Sequence, residues 1–342
     1  MTRPIHYDSH SRDAVEFYYH IDTRTGQRTC QALCEDCYFK NTEVVGFKQE
    51  LAEAQAVIRN LRSTGFNVTP IVSDTFGEDG AYLRSEVFNN HTFFLGSMAW
   101  SSGVPLITGD HRDLLRLLVK NGISLVAMTS HGTSDEESPL RGVPKPSLVR
   151  KAVALIKSFN RECSASIQTS LIFTIGKWNC NRVAIARYFE YCEELGVDIL
   201  RINQFLDWSS AYPHLALARE DVVETYRTLK EVNDRHRGNV RLSVSEDFGR
   251  WGVEAMGFPE GVGDCLAGEH LFGVVYPRVF VCPVTLNVVA GTVNKAGEVT
   301  WNRSVLSQVR EAKKSEYYTG CFGVSYAKFP EFRRFFAAGH ED

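Results

Sequence analysis

The sequence predicts an α/β fold in which short strands and helices alternate around a parallel sheet or barrel. Three observations support this prediction: apolar residues recur at helical spacing in several segments, short β-branched runs separate those segments, and glycine follows many of the helices. One strand and its helix take roughly thirty to forty residues, which is the size of a βα unit. In such barrels the catalytic groups lie at the carboxyl ends of the strands.

The elements are predicted in chain order from these patterns. Strands are predicted at 15–21, 67–74, 105–108, 123–128, 166–172 and 198–202. Helices are predicted at 47–64, 111–121, 146–160 and 182–195. After Asp207 a charged helix (220–237) and a strand (240–244) follow, and then glycines become frequent, which predicts a domain edge.

Beyond this edge, Cys265 and Cys282 flank a strand–turn–strand pattern whose turn is predicted at 276–278. A hairpin brings its two ends together, so these cysteines are expected to be neighbours, with Cys321 as a third member. Three cysteines in the middle of the chain, Cys163, Cys180 and Cys192, lie in or near apolar elements and are predicted to be buried in the core.

A second group of cysteines follows the first predicted strand. Cys30, Cys34 and Cys37 have C-x3-C-x2-C spacing, which is too tight for a disulfide framework. Soft thiolates in one loop suit an iron–sulfur cluster, and three of them leave one iron of a [4Fe–4S] cube open to a further ligand. Two alternatives remain: a zinc site, with His20 as a possible fourth ligand, or three unrelated core cysteines.

Composition limits the classes of function. The chain has 342 residues, a net charge of −3 and nine cysteines. This charge does not indicate a nucleic-acid or anionic membrane partner, and no run approaches the ~20 apolar residues of a membrane span. No apolar run follows the first residues, so a signal peptide is not predicted, and the many cysteines favour the reducing cytoplasm.

The C-x3-C-x2-C loop after a first strand resembles the motif of the radical S-adenosylmethionine (AdoMet) enzymes. The resemblance implies a partial (β/α)6 TIM-like barrel, a [4Fe–4S] cluster on Cys30, Cys34 and Cys37, AdoMet on the open iron, and an external reductant of the flavodoxin or ferredoxin type. The family often has an aromatic residue just before the third cysteine. Here that position is Asp36, and the aromatic Tyr38 follows the cysteine instead.

The resemblance also implies which residues contact AdoMet. The Gly-Gly-Glu-Pro motif of the family is reduced here to Gly77-Glu78, and Asp74 is an alternative to Glu78. Residues 107–110 resemble a Thr-Asn-Gly turn of the family. Arg141, which could equally be a surface charge, matches an Arg-Gly pair. The implied AdoMet-contacting residues are Tyr38, Asp74, Gly77, Glu78, Thr129, Ser130 and Arg141.

The C-terminal cysteines resemble the auxiliary-cluster extensions of the same family, the SPASM and twitch domains. The small number of cysteines favours the shorter twitch form, an α+β domain with one auxiliary iron–sulfur cluster on Cys265, Cys282 and Cys321. The alternative is a domain that has lost its cluster. The domain organisation is then an N-terminal extension (1–12), the barrel (13–207), a connecting helix and strand (208–255) and the auxiliary domain (256–342).

Relatives with a compact extension act on small sugars, cyclitols and nucleotides, so the resemblance implies a small-molecule substrate. The short segment before the first strand argues against a peptide-binding domain. The favoured reaction is radical decarboxylation of a sugar acid of the cytosylglucuronate type in antibiotic biosynthesis. The alternatives are a cyclitol or aminoglycoside dehydrogenase or epimerase, a peptide-modifying maturase, and a non-catalytic iron–sulfur or zinc protein. The candidate catalytic residues are Arg201 as a carboxylate clamp, Lys177 as a second cation, and Cys282 as a thiol that donates hydrogen.

Overall fold

The computed structural model describes residues 5–7, 14–21, 34, 35, 37, 49–88, 98–140, 142, 145–207, 211–245, 248–257 and 265–337. The strands are β1 (Ile5–Tyr7), β2 (Glu16–His20), β3 (Asn67–Ile71), β4 (Met98–Ser101), β5 (Leu125–Ser130), β6 (Gln168–Ile175), β7 (Ile199–Gln204), β8 (Arg241–Val244), β9 (Leu271–Val275), β10 (Arg278–Phe280), β11 (Val289–Val293) and β12 (Val299–Trp301). The helices are α1 (Leu51–Ser63), α2 (Gly77–Arg84), α3 (Val104–Thr108), α4 (His111–Lys120), α5 (Pro146–Cys163), α6 (Arg182–Leu195), α7 (Arg219–Arg235), α8 (Gly249–Met256), α9 (Arg303–Ala312), α10 (Phe322–Lys328) and α11 (Pro330–Arg334).

Two sheets of six strands form the framework. The first has the order β1-β8-β7-β6-β5-β4, and every neighbouring pair in it is parallel. The second has the order β12-β11-β10-β9-β2-β3; β2 is parallel to β3 and β9, and the remaining pairs are antiparallel. The predicted βα units around a parallel sheet are therefore confirmed.

The two sheets meet where β3 and β4 end. The Thr75 amide donates to the Trp100 carbonyl at 2.8 Å, and the Trp100 amide donates to the Thr75 hydroxyl at 3.0 Å. These bonds connect the two edge strands, so β2 to β7 form one curved wall of six strands.

The wall has an inner and an outer face because side chains alternate along each strand. On the inner face, Met98, Ala127, Ile172 and Ile199 form a small apolar cluster, against which Tyr18 packs. Tyr18 lies on β2 and the others on β4 to β7, so this contact crosses the barrel interior. The outer face packs against the helices in the main core.

Local sequence explains the helix ends. The Asn181 side chain accepts the amide of Ala184 at the start of α6, and Gly196 ends this helix in the left-handed conformation at φ 62°. The Asp110 side chain caps α4 by accepting the amides of Arg112 and Asp113. These signals are local, and α6 has the predicted bounds.

One predicted strand is wrong. Residues 105–108 form helix α3, because Gly103 turns the chain at φ 78° and Pro105 lies in the first helical turn, where its missing N–H costs nothing. The third strand of the wall is β4, which was not predicted. The resemblance of residues 107–110 to a family turn fails for the same reason, since they connect α3 to α4.

The predicted hairpin is confirmed, but its turn is Tyr276 and Pro277 alone, because Arg278 already belongs to β10 and pairs with Val275. The hairpin also extends the barrel wall, because β9 pairs in parallel with β2. At the other edge, β8 pairs with β7. In the part of the chain that the structure describes, no helix has the length and apolar character needed to span a membrane.

Candidate active site

The described part of the cysteine loop lies over the carboxyl ends of the barrel strands. The Cys34 thiol approaches the Gly142 carbonyl at 3.6 Å, and Gly142 lies in the connection after β5. The Tyr212 hydroxyl donates to the Glu35 carboxylate, and Tyr212 lies in the connection after β7. The Cys37 amide donates to the Cys34 carbonyl at 3.4 Å, so the chain turns tightly between these two cysteines. The loop therefore faces the end of the barrel where catalytic groups are expected.

Several predicted site residues cannot be placed. Cys30, Tyr38 and Arg141 lie outside the described residues, and the Glu78 side chain is likewise outside them. Gly77 begins helix α2, just beyond the carboxyl end of β3.

Asp74 is completely buried between the ends of β3 and β4. One carboxylate oxygen accepts the Ser102 amide at 2.9 Å and the Ser102 hydroxyl at 2.7 Å, and the other accepts the Phe76 amide at 3.1 Å. Burial raises the pKa of Asp74, while these donors and the Ser101 hydroxyl oppose that rise. A carboxylate has about four acceptor sites, and the Ser102 and Phe76 donors fill three of them, so at most one is left for the AdoMet ammonium.

We expect Asp74→Asn to destabilise the protein by about 1–3 kcal/mol, because an amide NH2 would face a donor in a buried site. Urea unfolding measures this change. Asp79→Asn is the matched control: Asp79 is exposed at φ 53°, a conformation that asparagine tolerates, and its substitution should change stability little. Equal stability of the two variants would contradict a structural role for Asp74.

Thr129 and Ser130 lie at the end of β5, as predicted. The Ser130 hydroxyl is buried and donates to the Gly132 carbonyl at 2.7 Å, so it stabilises its own turn. Thr129 lies on the inner face, in register with Ile172. His131 follows directly and is 4% exposed, and burial lowers its pKa to about 4.

Because His131 stays neutral in the folded chain but protonates near its ordinary pKa when unfolded, it should destabilise the protein in acid. The contribution of neutral His131 to the free energy of unfolding is fully present above about pH 6.5 and is lost as the pH falls towards 4. Between pH 7.5 and 5 we expect a loss of about 2 kcal/mol that His131→Gln removes. Chemical unfolding at both pH values measures it, with exposed His214→Gln as the control. An identical pH dependence in the His131 variant and the wild type would contradict this account.

Arg201 lies on the inner face of β7, in register with Ile172 on β6 and Ser243 on β8. Its side chain is 4% exposed, and its Nε donates to the Asn203 side chain at 3.2 Å. A guanidinium group is thus present on the inner face of the barrel. Lys177 lies after β6, but its ammonium is about half exposed and 3.8 Å from the Asp221 carboxylate at the start of α7.

The three C-terminal cysteines are all buried and lie in one region. The Cys265 amide donates to the carbonyl of Gly320, the residue before Cys321. A Cβ atom on Gly323, two residues after Cys321, would lie 3.7 Å from the Cys282 sulfur. The Cys282–Pro283 segment crosses the sheet at Gly273, where a Cβ would lie 2.8 Å from the Pro283 Cα, so glycine is needed there.

Hydrogen-bond donors point at two of these sulfurs. The Ala267 amide approaches the Cys265 sulfur at 3.5 Å, and the amides of Val284 and Thr285 and the Thr285 side chain contact Cys282. Burial and the neighbouring Cys265 thiol raise the pKa of Cys282 to about 12. Donors aimed at sulfur stabilise negative charge there, so the site suits thiolates once a cation compensates them.

Among the described side chains, no three His, Cys, Asp or Glu are arranged to hold one metal ion. The donor set at the C-terminal site is three buried thiols with hydrogen-bond donors at two of the sulfurs, and thiolates are the ligands that iron–sulfur clusters use. His20, the candidate zinc ligand, is buried and lies 2.8 Å from the Pro283 carbonyl; burial lowers its pKa to about 4.

The remaining cysteines differ from the prediction in part. Cys192 is buried, as predicted, and Cys180 is partly buried. Cys163 is exposed, because it is the last residue of α5 and lies on the solvent side of that helix.

Two aromatic residues of the barrel interior were not identified from the sequence. Tyr18 and Trp100 both pack against the inner apolar cluster. Period-two alternation in β2 would have placed Tyr18 on the inner face, but Trp100 required β4 to be recognised first.

The fold is similar to that of two solved proteins. Streptococcus suis SuiB bound to S-adenosylmethionine has a TM-score of 0.61 and 12% identity, over 91% of this chain and 69% of SuiB. SuiB bound to its precursor peptide SuiA has a TM-score of 0.62 and 11% identity, over 91% of this chain and 70% of SuiB. The protein anSMEcpe with bound AdoMet has a TM-score of 0.58 and 15% identity, over 94% of this chain and 96% of that chain.

No protein-family model and no curated protein matches the sequence. At the identities of the structural neighbours, the similarity establishes the fold. The predicted α/β partial barrel is thereby confirmed, and AdoMet is the ligand present in structures of both neighbours.

Proposed function

We propose that this chain is a radical AdoMet enzyme whose Cys30, Cys34 and Cys37 hold a [4Fe–4S] cluster at the carboxyl end of the barrel. One observation carries the proposal: the Cys34–Cys37 turn contacts the loops after β5 and β7 at that end of the fold. When bound, the cluster and AdoMet supply reductive cleavage of the sulfonium and a radical that takes hydrogen from carbon.

The protein's own residues position the reactants. Tyr18 and Trp100 pack against the inner apolar cluster and line the barrel interior with it. Asp74 and Ser102 hold the ends of β3 and β4 together beside α2, where Gly77 and Glu78 are the proposed AdoMet contacts. Thr129 on the inner face and the proposed contacts Tyr38, Ser130 and Arg141 complete the AdoMet site.

The second cysteine set is proposed to hold an auxiliary iron–sulfur cluster. Three buried thiols in one region, with amide donors at two of the sulfurs, support this assignment. The cysteine spacing, together with the hairpin that continues the barrel sheet, supports the proposed twitch-like domain.

We propose a small sugar acid or nucleoside-linked sugar acid as the substrate, with decarboxylation as the reaction. The supporting observation is Arg201, a buried guanidinium on the inner face that suits a carboxylate. A dehydrogenase or epimerase of a cyclitol or aminoglycoside is the second small-molecule candidate. In the dehydrogenase the auxiliary cluster would accept one electron from the substrate radical. In the epimerase the Cys282 thiol, not bound to a cluster, would donate a hydrogen atom to that radical. A peptide substrate is a separate candidate, since a neighbour of the same fold was solved with its precursor peptide.

The direct experiment is anaerobic reconstitution, with iron and sulfide counting, followed by an assay for 5′-deoxyadenosine with dithionite. Formation of 5′-deoxyadenosine supports the proposal, whereas iron without AdoMet cleavage favours a non-catalytic iron–sulfur protein. Release of CO2 from a sugar acid identifies the decarboxylase, a ketone without CO2 identifies the dehydrogenase, and modification confined to a peptide excludes both.

We expect Arg201→Lys to lower turnover of a carboxylate substrate at least about tenfold, because lysine cannot form the bidentate pair. Substrate-independent AdoMet cleavage should stay near the wild-type rate, which separates substrate binding from initiation. Lys177→Met tests the second cation in the same assay. If both rates fall together, or if the melting temperature falls sharply, Arg201 is a structural residue.

A further inference from the structure

A cleft with basic walls reaches Cys265 from the protein surface. It encloses about 310 Å³ and is lined by Cys265, Arg250, Lys313 and Tyr318, among others. The Lys313 ammonium donates to the Cys265 carbonyl at 2.8 Å and to the Glu269 carboxylate at 2.7 Å. The Arg250 guanidinium lies 5.3 Å from the centre of the Tyr318 ring. Lys313 therefore contacts the backbone of a buried cysteine, and Arg250 lines the same cleft.

The cleft adjoins a wider cavity of about 720 Å³ that shares Glu269, His270 and Lys313 with it. Aromatic rings form the floor of the cavity; Phe272 and Trp301 are 4.6 Å apart, and Phe66 lines the same space. His270 and Phe66 directly precede β9 and β3, so the cavity lies at the amino ends of these strands. The proposed catalytic face is at their other ends.

The surface around the two cavities is positively charged in a chain whose net charge is −3. The lining residues include the cations Arg250, Arg310, Lys313 and Lys314 and the carboxylates Glu269 and Glu311. Each carboxylate is paired within the set, Glu269 with Lys313 at 2.7 Å and Glu311 with Lys314 at 2.8 Å. The set is therefore net positive, and an acidic partner would be attracted to it.

We propose that this surface, the basic cleft with its adjoining aromatic cavity, is the docking site of a small acidic protein that carries a one-electron redox group. An apolar centre surrounded by charged residues is the usual composition of a protein interface. Electron-carrier complexes are small and rely on charge for rapid association. A carrier seated here would bring its redox group next to Cys265. The inference rests on the proposed auxiliary metal site, and it places the contact away from the face where substrate enters.

The test measures binding of purified flavodoxin and of plant-type ferredoxin to the reconstituted full chain by calorimetry at low ionic strength. We expect Arg310→Glu/Lys314→Glu to weaken binding of the carrier at least about tenfold, and added salt to weaken wild-type binding. The matched control is Arg116→Glu, an exposed reversal on α4, which should leave the affinity within about twofold of the wild type. Hydrogen exchange of the wild type should show protection of residues 265–270 and 303–314 on carrier binding, and this readout requires no variant.

Binding that is equal in all variants overturns the proposal, as does protection elsewhere on the chain or the absence of binding by both carriers. Inorganic phosphate that protects the same residues while neither carrier binds would assign the cleft to a small anion instead. The proposed auxiliary site is tested separately: the Cys30/Cys34/Cys37→Ala variant should still hold the iron of that site. A chain that holds that iron but binds no carrier therefore refutes the docking site alone.

Discussion

Replacing Cys37 by alanine is expected to reduce AdoMet cleavage to the background rate. The proposed cluster needs all three thiolates to keep one iron open, and the Cys37 amide bonds back to the Cys34 carbonyl, which keeps these two cysteines together. The measurement is 5′-deoxyadenosine formed per chain with dithionite after anaerobic reconstitution. Cys34→Ala should have the same effect.

The matched control is Cys163→Ala, which removes an exposed thiol at the end of α5, far along the chain from both cysteine sets. It should cleave AdoMet at the wild-type rate. Undiminished cleavage by the Cys37 variant would remove the central claim of the proposed function. A loss in the Cys163 variant would mean that the assay reports general thiol damage.

The second large effect is expected in iron content. Reconstituted wild type should hold more iron than one [4Fe–4S] cluster, and the Cys30/Cys34/Cys37→Ala variant should lose about four irons while keeping the rest. The physical reason is the separation of the two sets: the first lies over the carboxyl ends of the strands, and the second is buried behind the β9–β10 hairpin.

Cys282→Ala should show the reverse, losing the auxiliary iron and keeping the iron that supports AdoMet cleavage. Cys282 is 3% exposed, so its removal needs a check of folding by circular dichroism. A triple variant without any iron would contradict the two-cluster assignment. A Cys282 variant with unchanged iron would mean that these thiols are only core residues.

Local chemistry made part of the fold predictable from the sequence. Helix α6 has the predicted bounds because its signals, the Asn181 cap and Gly196, are local. The β9–β10 hairpin was predictable for the same reason, within one residue of its turn. Strand β4 was not, because Met98–Ser101 is too short to show a period and the apolar run at 105–108 is a helix after Gly103.

The candidate site likewise has features that local sequence predicts and features that it does not. The proposed cluster loop could be identified from the cysteine spacing alone, because Cys30, Cys34 and Cys37 lie close together in the chain. The barrel interior required the tertiary structure: Arg201, Tyr18 and Trp100 come from distant strands, and only strand order and register place them on one face.

The sequence by itself therefore determined the βα repeat, the ends of α6 and the β9–β10 hairpin, and it supplied the proposal for the first cysteine loop. The signals for these features lie within a few positions of one another in the chain. The tertiary structure decided the rest: the junction of Asp74 with Ser102, the approach of Cys282 across Gly273, and the basic cleft at Cys265. These features depend on contacts between segments far apart in the chain, which no local pattern records, because packing brings them together only when the sheets form.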